Sequence, residues 1–213
     1  MLEVDIDEFT KDLASSLCTL GIDSLNSLII IANKASVNHV MKLWAPAPLS
    51  LKLLEIWVIQ IPRVPSWIGS LDNLQHLRLH VEKLRSADVG LLGRLNALSC
   101  LSLLVAIEVA DRSSSSQGVQ RVKIKGAHGF PSLRKFQIGS YHCGFGLFFE
   151  AGAMPKLQEL ELRFDEAKTR SLSNGEFDFG IQHLPSLTTV ACYLSYFKGS
   201  HDIEDLEPEA WER

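Results

Sequence analysis

The chain has 213 residues, of which 46% are hydrophobic and 22% charged, with a formal net charge of −4. That is ample for a buried core, yet no apolar run approaches the roughly 18 residues of a membrane span. Residues 202 to 213 hold six acids against Arg213, a net −5 that leaves +1 for the rest, so neither a basic nucleic-acid-binding face nor a polybasic membrane anchor is indicated.

The opening residues, MLEVDIDEF, are acidic where a secretory signal carries positive charge, and 1 to 12 read as a lead-in. Cys18, Cys100, Cys143 and Cys192 form no C-x-x-C pair and suit neither a zinc ribbon nor a disulfide framework. Both features point to a cytoplasmic protein with reduced thiols.

From Leu25 onward one short phrase, L-x-x-L-x-L, recurs. Its copies are Leu25, Leu28, Ile30; Leu51, Leu54, Ile56; Leu74, Leu77, Leu79; Leu98, Leu101, Leu103; Leu133, Phe136, Ile138; Leu157, Leu160, Leu162; and Leu187, Val190, Cys192. First positions are 26, 23, 24, 35, 24 and 30 residues apart. Self-similarity at such a period marks a solenoid, and this spacing a leucine-rich repeat. In each copy x-L-x-L-x forms a short strand whose two apolar residues face the core while the intervening ones face out. The expected fold is therefore an α/β leucine-rich-repeat solenoid of about seven repeats over residues 13 to 201. Its curved parallel sheet lines the concave side, and irregular or short helical segments form the convex side.

The convex segments vary. Leu13-Leu17-Leu20 and Ala87-Leu91-Leu95 have helix-like spacing, whereas Pro62, Pro65 and Gly69 oppose regular helix. The long intervals contain DRSSSSQG, residues 111 to 118, and the stretch from Lys168 to Phe179, both expected to be polar loops outside the stack. Residues 202 to 213 are expected to form an acidic cap in which Ile203, Leu206, Ala210 and Trp211 make the apolar stripe of a short helix.

Catalytic signatures fare poorly. There is no P-loop, and Gly144-Phe145-Gly146 lacks the third glycine and strand-turn-helix setting of a dinucleotide site. His76 and His80 share a face at strand period, but Arg78 lies between them and discourages a metal cation, so they read as a contact patch. His142-Cys143 has no evident orienting acid, and Ser195 no nucleophile elbow. No enzyme activity, cofactor or metal is expected.

What remains is the outward face of the sheet. The alternation rule places Glu55, Trp57, His76, Arg78, His80, Leu104, Lys135, Gln137, Glu159, Glu161, Arg163 and Tyr193 there. Leu53, Cys100, Ser102, Gly139, Thr189 and Ala191 share it. Aromatic and Arg side chains anchor protein interfaces, so these residues are candidates for binding a protein.

The runs WAPAPLSLKLLEIW (44 to 57), VPSWIGSLDNLQHLRLHVEKL (64 to 84) and LGRLNALSCLSL (92 to 103) resemble a known family, as do GFPSLRKFQI (129 to 138), AMPKLQELELRF (153 to 164) and GIQHLPSLTTVAC (180 to 192). That family is the leucine-rich repeat region of plant intracellular nucleotide-binding, leucine-rich-repeat disease-resistance proteins, in the style of grass members. The resemblance implies a sensor region that recognises a pathogen effector or guarded host protein and restrains a nucleotide-binding module. No coiled-coil or nucleotide-binding module is visible in this sequence. A second reading is an adaptor, such as the substrate receptor of a ubiquitin ligase; an F-box-like helical module upstream would favour it, and none is visible in residues 1 to 12.

Overall fold

A computed structural model of the chain describes residues 15–16, 25–32, 47–106, 110–111, 120–126, 129–140, 146–172 and 178–195. The strands are β1 (Ser27–Ala32), β2 (Leu53–Ile61), β3 (His76–Val81), β4 (Cys100–Val105), β5 (Ala110–Asp111), β6 (Gln120–Ile124), β7 (Lys135–Gly139), β8 (Leu147–Phe149), β9 (Glu159–Asp165) and β10 (Thr189–Ser195). Helix α1 covers Ser86–Leu92 and α2 Glu166–Leu172; single 3-10 turns occupy Ser66–Ser70 and Ile181–His183.

Seven strands form one sheet in the order β1-β2-β3-β4-β7-β9-β10, every neighbouring pair parallel. One strand comes from each copy of the phrase. The register aligns Leu54, Leu77, Leu101, Phe136 and Leu160 in one core-facing row and Ile56, Leu79, Leu103, Ile138 and Leu162 in the next. All ten are buried.

One backbone device sets that register repeatedly. The carbonyl of Lys52 accepts the N–H groups of both Gln75 and His76, that of Gln75 those of Ser99 and Cys100, and that of Ser99 those of Arg134 and Lys135. Asn26, Arg134 and Gln158 do the same for their successors, all at 2.8 to 3.0 Å. Each strand after β1 in the large sheet thus begins on a shared acceptor supplied by the repeat before it. The residue that opens each phrase also closes a turn to the residue three places earlier: Leu74 donates to Leu71, Leu98 to Leu95, Leu133 to Phe130 and Leu157 to Met154. Those earlier residues are buried as well, a further core position in each repeat. Phe130 and Met154 take it with positive φ, 55° and 45°. The left-handed backbone costs roughly 1 to 2 kcal/mol per residue, which burial of a large apolar side chain, about 1.5 to 3 kcal/mol, offsets.

The convex side departs from expectation in two places. Within the long interval after Leu103, β6 sends Val122 and Ile124 into the core; it pairs in parallel with β8, which lies in the next interval, between Leu133 and Leu157, and buries Leu147 and Phe149, while β5 adds an antiparallel edge. The β6 part of the long interval therefore belongs to the stack, because V-x-I, like the L-x-F of β8, is itself a period-two strand pattern. Residues 112 to 118 of the Ser-rich stretch lie outside the described residues. The expected polar loop from Lys168 begins instead as α2. Buried Asp165 accepts the Lys168 N–H at 3.0 Å, capping a run of good helix formers, and Arg170 bonds Glu166 one turn back at 2.9 Å. Residues 173 to 177 are outside the described set.

Helix α1 agrees with the Ala87-Leu91 spacing but stops at Leu92, short of Leu95. Asp88, although buried, accepts the N–H of Arg85 at 3.0 Å and so fixes the first turn. Of the expected helix at Leu13-Leu17-Leu20, only Ser15 and Ser16 are described, and both are helical. The expected lead-in and C-terminal cap, and His142-Cys143, lie outside the described residues.

Because Leu77 is only 2% exposed in a closed row, Leu77→Ala should destabilise by roughly 2 to 5 kcal/mol in chemical denaturation. An unchanged transition would contradict the register.

Candidate functional site

The same register that closes the core lays the outward side chains into three transverse rows. One runs Ser27, Leu53, His76, Cys100, Lys135, Glu159, Thr189; the next Ile29, Glu55, Arg78, Ser102, Gln137, Glu161, Ala191. The third holds Ile31 beside Trp57 and, separately, His80, Leu104, Gly139, Arg163 and Tyr193; it is interrupted between β2 and β3, where the register shifts after Ile56. All twelve candidate binding residues lie in these rows, on one face.

The rows are not uniform. Toward β2, the Trp57 indole N–H donates to Glu55 Oε2 at 2.9 Å, and the Arg78 guanidinium lies over the Trp57 ring, 3.6 Å from its centroid. Glu55, Trp57 and Arg78 form one cluster that spans two strands. Arginine over indole is a favourable cation–π pair of roughly 0.5 to 2 kcal/mol, and it holds the aromatic ring in a fixed attitude.

Toward β9, a second cluster forms around Glu161. Its Oε2 accepts the Gln137 amide at 2.8 Å and its Oε1 the Arg163 Nε at 2.7 Å, while the Arg163 guanidinium lies 4.1 Å from the Tyr193 ring centroid. The Arg163 and Glu161 side chains are each only 16% exposed, so this ion pair is sheltered from water and geometrically fixed. Beside it, Lys135 pairs with Glu159 at 3.1 Å in a more exposed setting; the bond to Glu159 raises the Lys135 pKa above its usual value.

Between the clusters the face dips. Ser102 is buried between its longer register partners Arg78 and Gln137, and Gly139 lies beside Arg163. A Cβ on Gly139 would meet the Arg163 Cβ at 2.9 Å, so the absence of a side chain there is what lets Arg163 lie flat across the sheet. Cys100, Ser102, Leu104 and Gly139 make a saddle that is small and nearly uncharged. Burial pushes the Cys100 thiol above its ordinary value, and nearby Lys135 opposes that rise only in part.

His76 is exposed and His80 half-buried, in different rows with Arg78 in the row between. Among the described residues no three His, Cys, Asp or Glu side chains group as metal ligands. A groove of about 380 Å³ opens among the turns, lined by Gly93, Arg94, Asn96, Gly126, Gly129, Pro131, Gly152 and Pro155. Arg94 is its one charged lining residue, and glycine and proline supply most of the rest. It lacks the convergent polar groups of a small-molecule site.

The alternation rule found the outer face but passed over its N-terminal end. Ile29 and Ile31 of β1 are 55% and 81% exposed, the most prominent apolar side chains of the rows. The signal was available: with Leu28 and Ile30 in the core positions, Ile29 and Ile31 must face out.

With this geometry in place, the likeness to known proteins has a structural meaning. A family model described as a leucine-rich repeat region matches residues 2–211. The chain belongs to the leucine-rich repeat family. Disease resistance protein RGA5 of Oryza sativa subsp. japonica is 31% identical over 185 residues, which are 84% of this chain and 15% of that protein. Disease resistance proteins Pik-2 and Pikm2-TS of the same rice are each 28% identical over 195 residues, 87% of this chain and 18% of theirs. The chain thus spans less than a fifth of the length of these relatives. No solved structure matches. Leucine-rich repeat arrays in general present extended concave binding surfaces, and no described helix is long and apolar enough to cross a membrane.

Two outcomes test the geometry. Gly139→Ala should destabilise by about 1 to 3 kcal/mol through overpacking against Arg163, read by chemical denaturation. In a chain whose other cysteines are replaced by serine, Cys100 should alkylate with iodoacetamide more slowly at neutral pH than free cysteine, since the raised pKa keeps it a protonated thiol.

Proposed function

We propose that this chain is the recognition region of a plant disease-resistance protein, non-catalytic, which binds a protein partner on the outward face of its seven-stranded sheet. The observation that carries the reading is the pair of pre-assembled clusters, Glu55–Trp57–Arg78 and Gln137–Glu161–Arg163–Tyr193. Side chains already locked by their neighbours lose little freedom when a partner docks, which is the condition under which aromatic and arginine residues become hot spots. The similarity to rice disease resistance proteins over most of the chain supports the biological setting.

In this reading the repeats within 13 to 201 act as a sensor in the cytoplasm. The partner is a pathogen effector, a guarded host protein, or the nucleotide-binding module that the repeats hold inactive. Core rows make the scaffold, and specificity rests on the outward residues, with Trp57, Arg78 and Arg163 as anchors and the more exposed Lys135 and Glu159 as rim.

The test uses the intact chain as bait in a grass-tissue extract, with captured proteins identified by mass spectrometry and affinities then measured for purified pairs. Trp57→Ala and Arg78→Ala should each weaken the partner by about 2 kcal/mol or more, near thirtyfold, with the thermal transition of the chain preserved. A partner whose affinity is indifferent to both, and to Arg163→Ala, binds elsewhere and removes this reading.

A further inference from the structure

Ser102 lies in the middle of β4 with Leu101 and Leu103 turned to the core on either side, so its hydroxyl faces outward. It is only 6% exposed, yet among the described residues its side chain has no hydrogen-bond partner. By contrast the buried Ser140 and Thr169 each engage a partner. The cause lies in the neighbours. Arg78 and Gln137 flank Ser102 in register, and each is drawn the other way, the Arg78 guanidinium over Trp57 on β2 and the Gln137 amide to Glu161 on β9. Both long side chains thus lean toward the ends of the face and leave the hydroxyl between them. A buried hydroxyl without a partner is destabilising, and native folds hold few of them.

We infer that Ser102 is the receiving group of a notch into which the partner inserts one neutral, hydrogen-bonding side chain, a carboxamide such as that of Asn or Gln. The inference rests on the outward face being the recognition surface. A hydroxyl both donates and accepts, and a carboxamide offers both roles at its tip. Charge points the same way. The outward rows hold three acids, Glu55, Glu159 and Glu161, and three bases, Arg78, Lys135 and Arg163. A charged tip of either sign therefore meets no net attraction while losing its water. An aliphatic tip would suit the neighbouring Leu104 but leave the hydroxyl unpaired.

Cys100 gives a direct test, because it lies two residues from Ser102 on the same face, about 6.6 Å along the strand. The native chain is equilibrated, in thiol–disulfide exchange buffer, with the disulfides of mercaptopropionamide, mercaptopropionate, mercaptopropylamine and butanethiol in turn. Mass spectrometry of the Cys100 peptide reads the fraction carrying each group, with exposed Cys192 as the internal reference. The carboxamide should accumulate on Cys100 about fivefold over the other three, and Ser102→Ala should abolish that preference. Equal occupancy by all four, or a preference that survives Ser102→Ala, overturns the proposal. The substitution should also leave the thermal midpoint level or higher, since it removes an unpaired hydroxyl; a lowered midpoint means that the fold itself uses the group, and overturns the proposal as well. With a purified partner, Ser102→Ala should cut affinity about tenfold. A partner weakened by Trp57→Ala and Arg78→Ala but indifferent to Ser102→Ala keeps the recognition face and overturns the notch, whereas indifference to all three overturns both.

Discussion

From β2 onward, each strand of the large sheet starts on a carbonyl oxygen that accepts two successive N–H groups, and on that arrangement the rest of the molecule depends. A parallel ladder alone tolerates slippage, but a doubly used acceptor at the strand's first residues fixes where pairing begins. In a period-two structure a slip by one residue would turn Leu77 and Leu79 outward and bury Arg78. The cost of burying an unpaired guanidinium, added to the loss of two core leucines, makes the observed register the one the chain can adopt.

The candidate binding face is a product of that register and owes little to local folding. Trp57 and Arg78 are 21 positions apart in sequence, Gln137 and Glu161 24 apart, and each pair meets only because adjacent strands start level. Strand ends supply rigidity, and cross-strand neighbours supply orientation. The Glu161 carboxylate, with both oxygens engaged, fixes Arg163 between itself and Tyr193. A face built this way presents its groups in one arrangement.

The sheet was legible because its signal is periodic at two scales, alternate residues within a strand and about two dozen residues between strands. All seven phrases found by spacing became strands of one sheet in sequence order. The convex side was less legible because its segments share no common solution: a capped helix at α1, 3-10 turns, and the short strands β6 and β8 all cover the same core. Val122 and Ile124 are flanked by a Ser-rich stretch whose composition masks them, and the helix at Glu166 is set by a single capping aspartate. At the candidate site, the outward positions could be named from alternation, but their grouping could not. Nothing in the sequence distinguishes Glu161, held by Gln137 and Arg163, from Glu159, which meets Lys135 in the open. The buried position three residues before each phrase, held by Leu71, Leu95, Phe130 and Met154, repeats just as faithfully; its varied residue types conceal it.

Gly139 and Ser102 give the array an unequal freedom to change. Along most outward positions a substitution alters what the surface displays and leaves the frame untouched, so the face can be rewritten one side chain at a time while the fold is inherited intact. At these two positions that independence fails: Ser102 is buried, and a Cβ on Gly139 would meet the Arg163 Cβ at 2.9 Å. They lie between the cluster around Trp57 and the one around Glu161, so each half can change its display with little reference to the other.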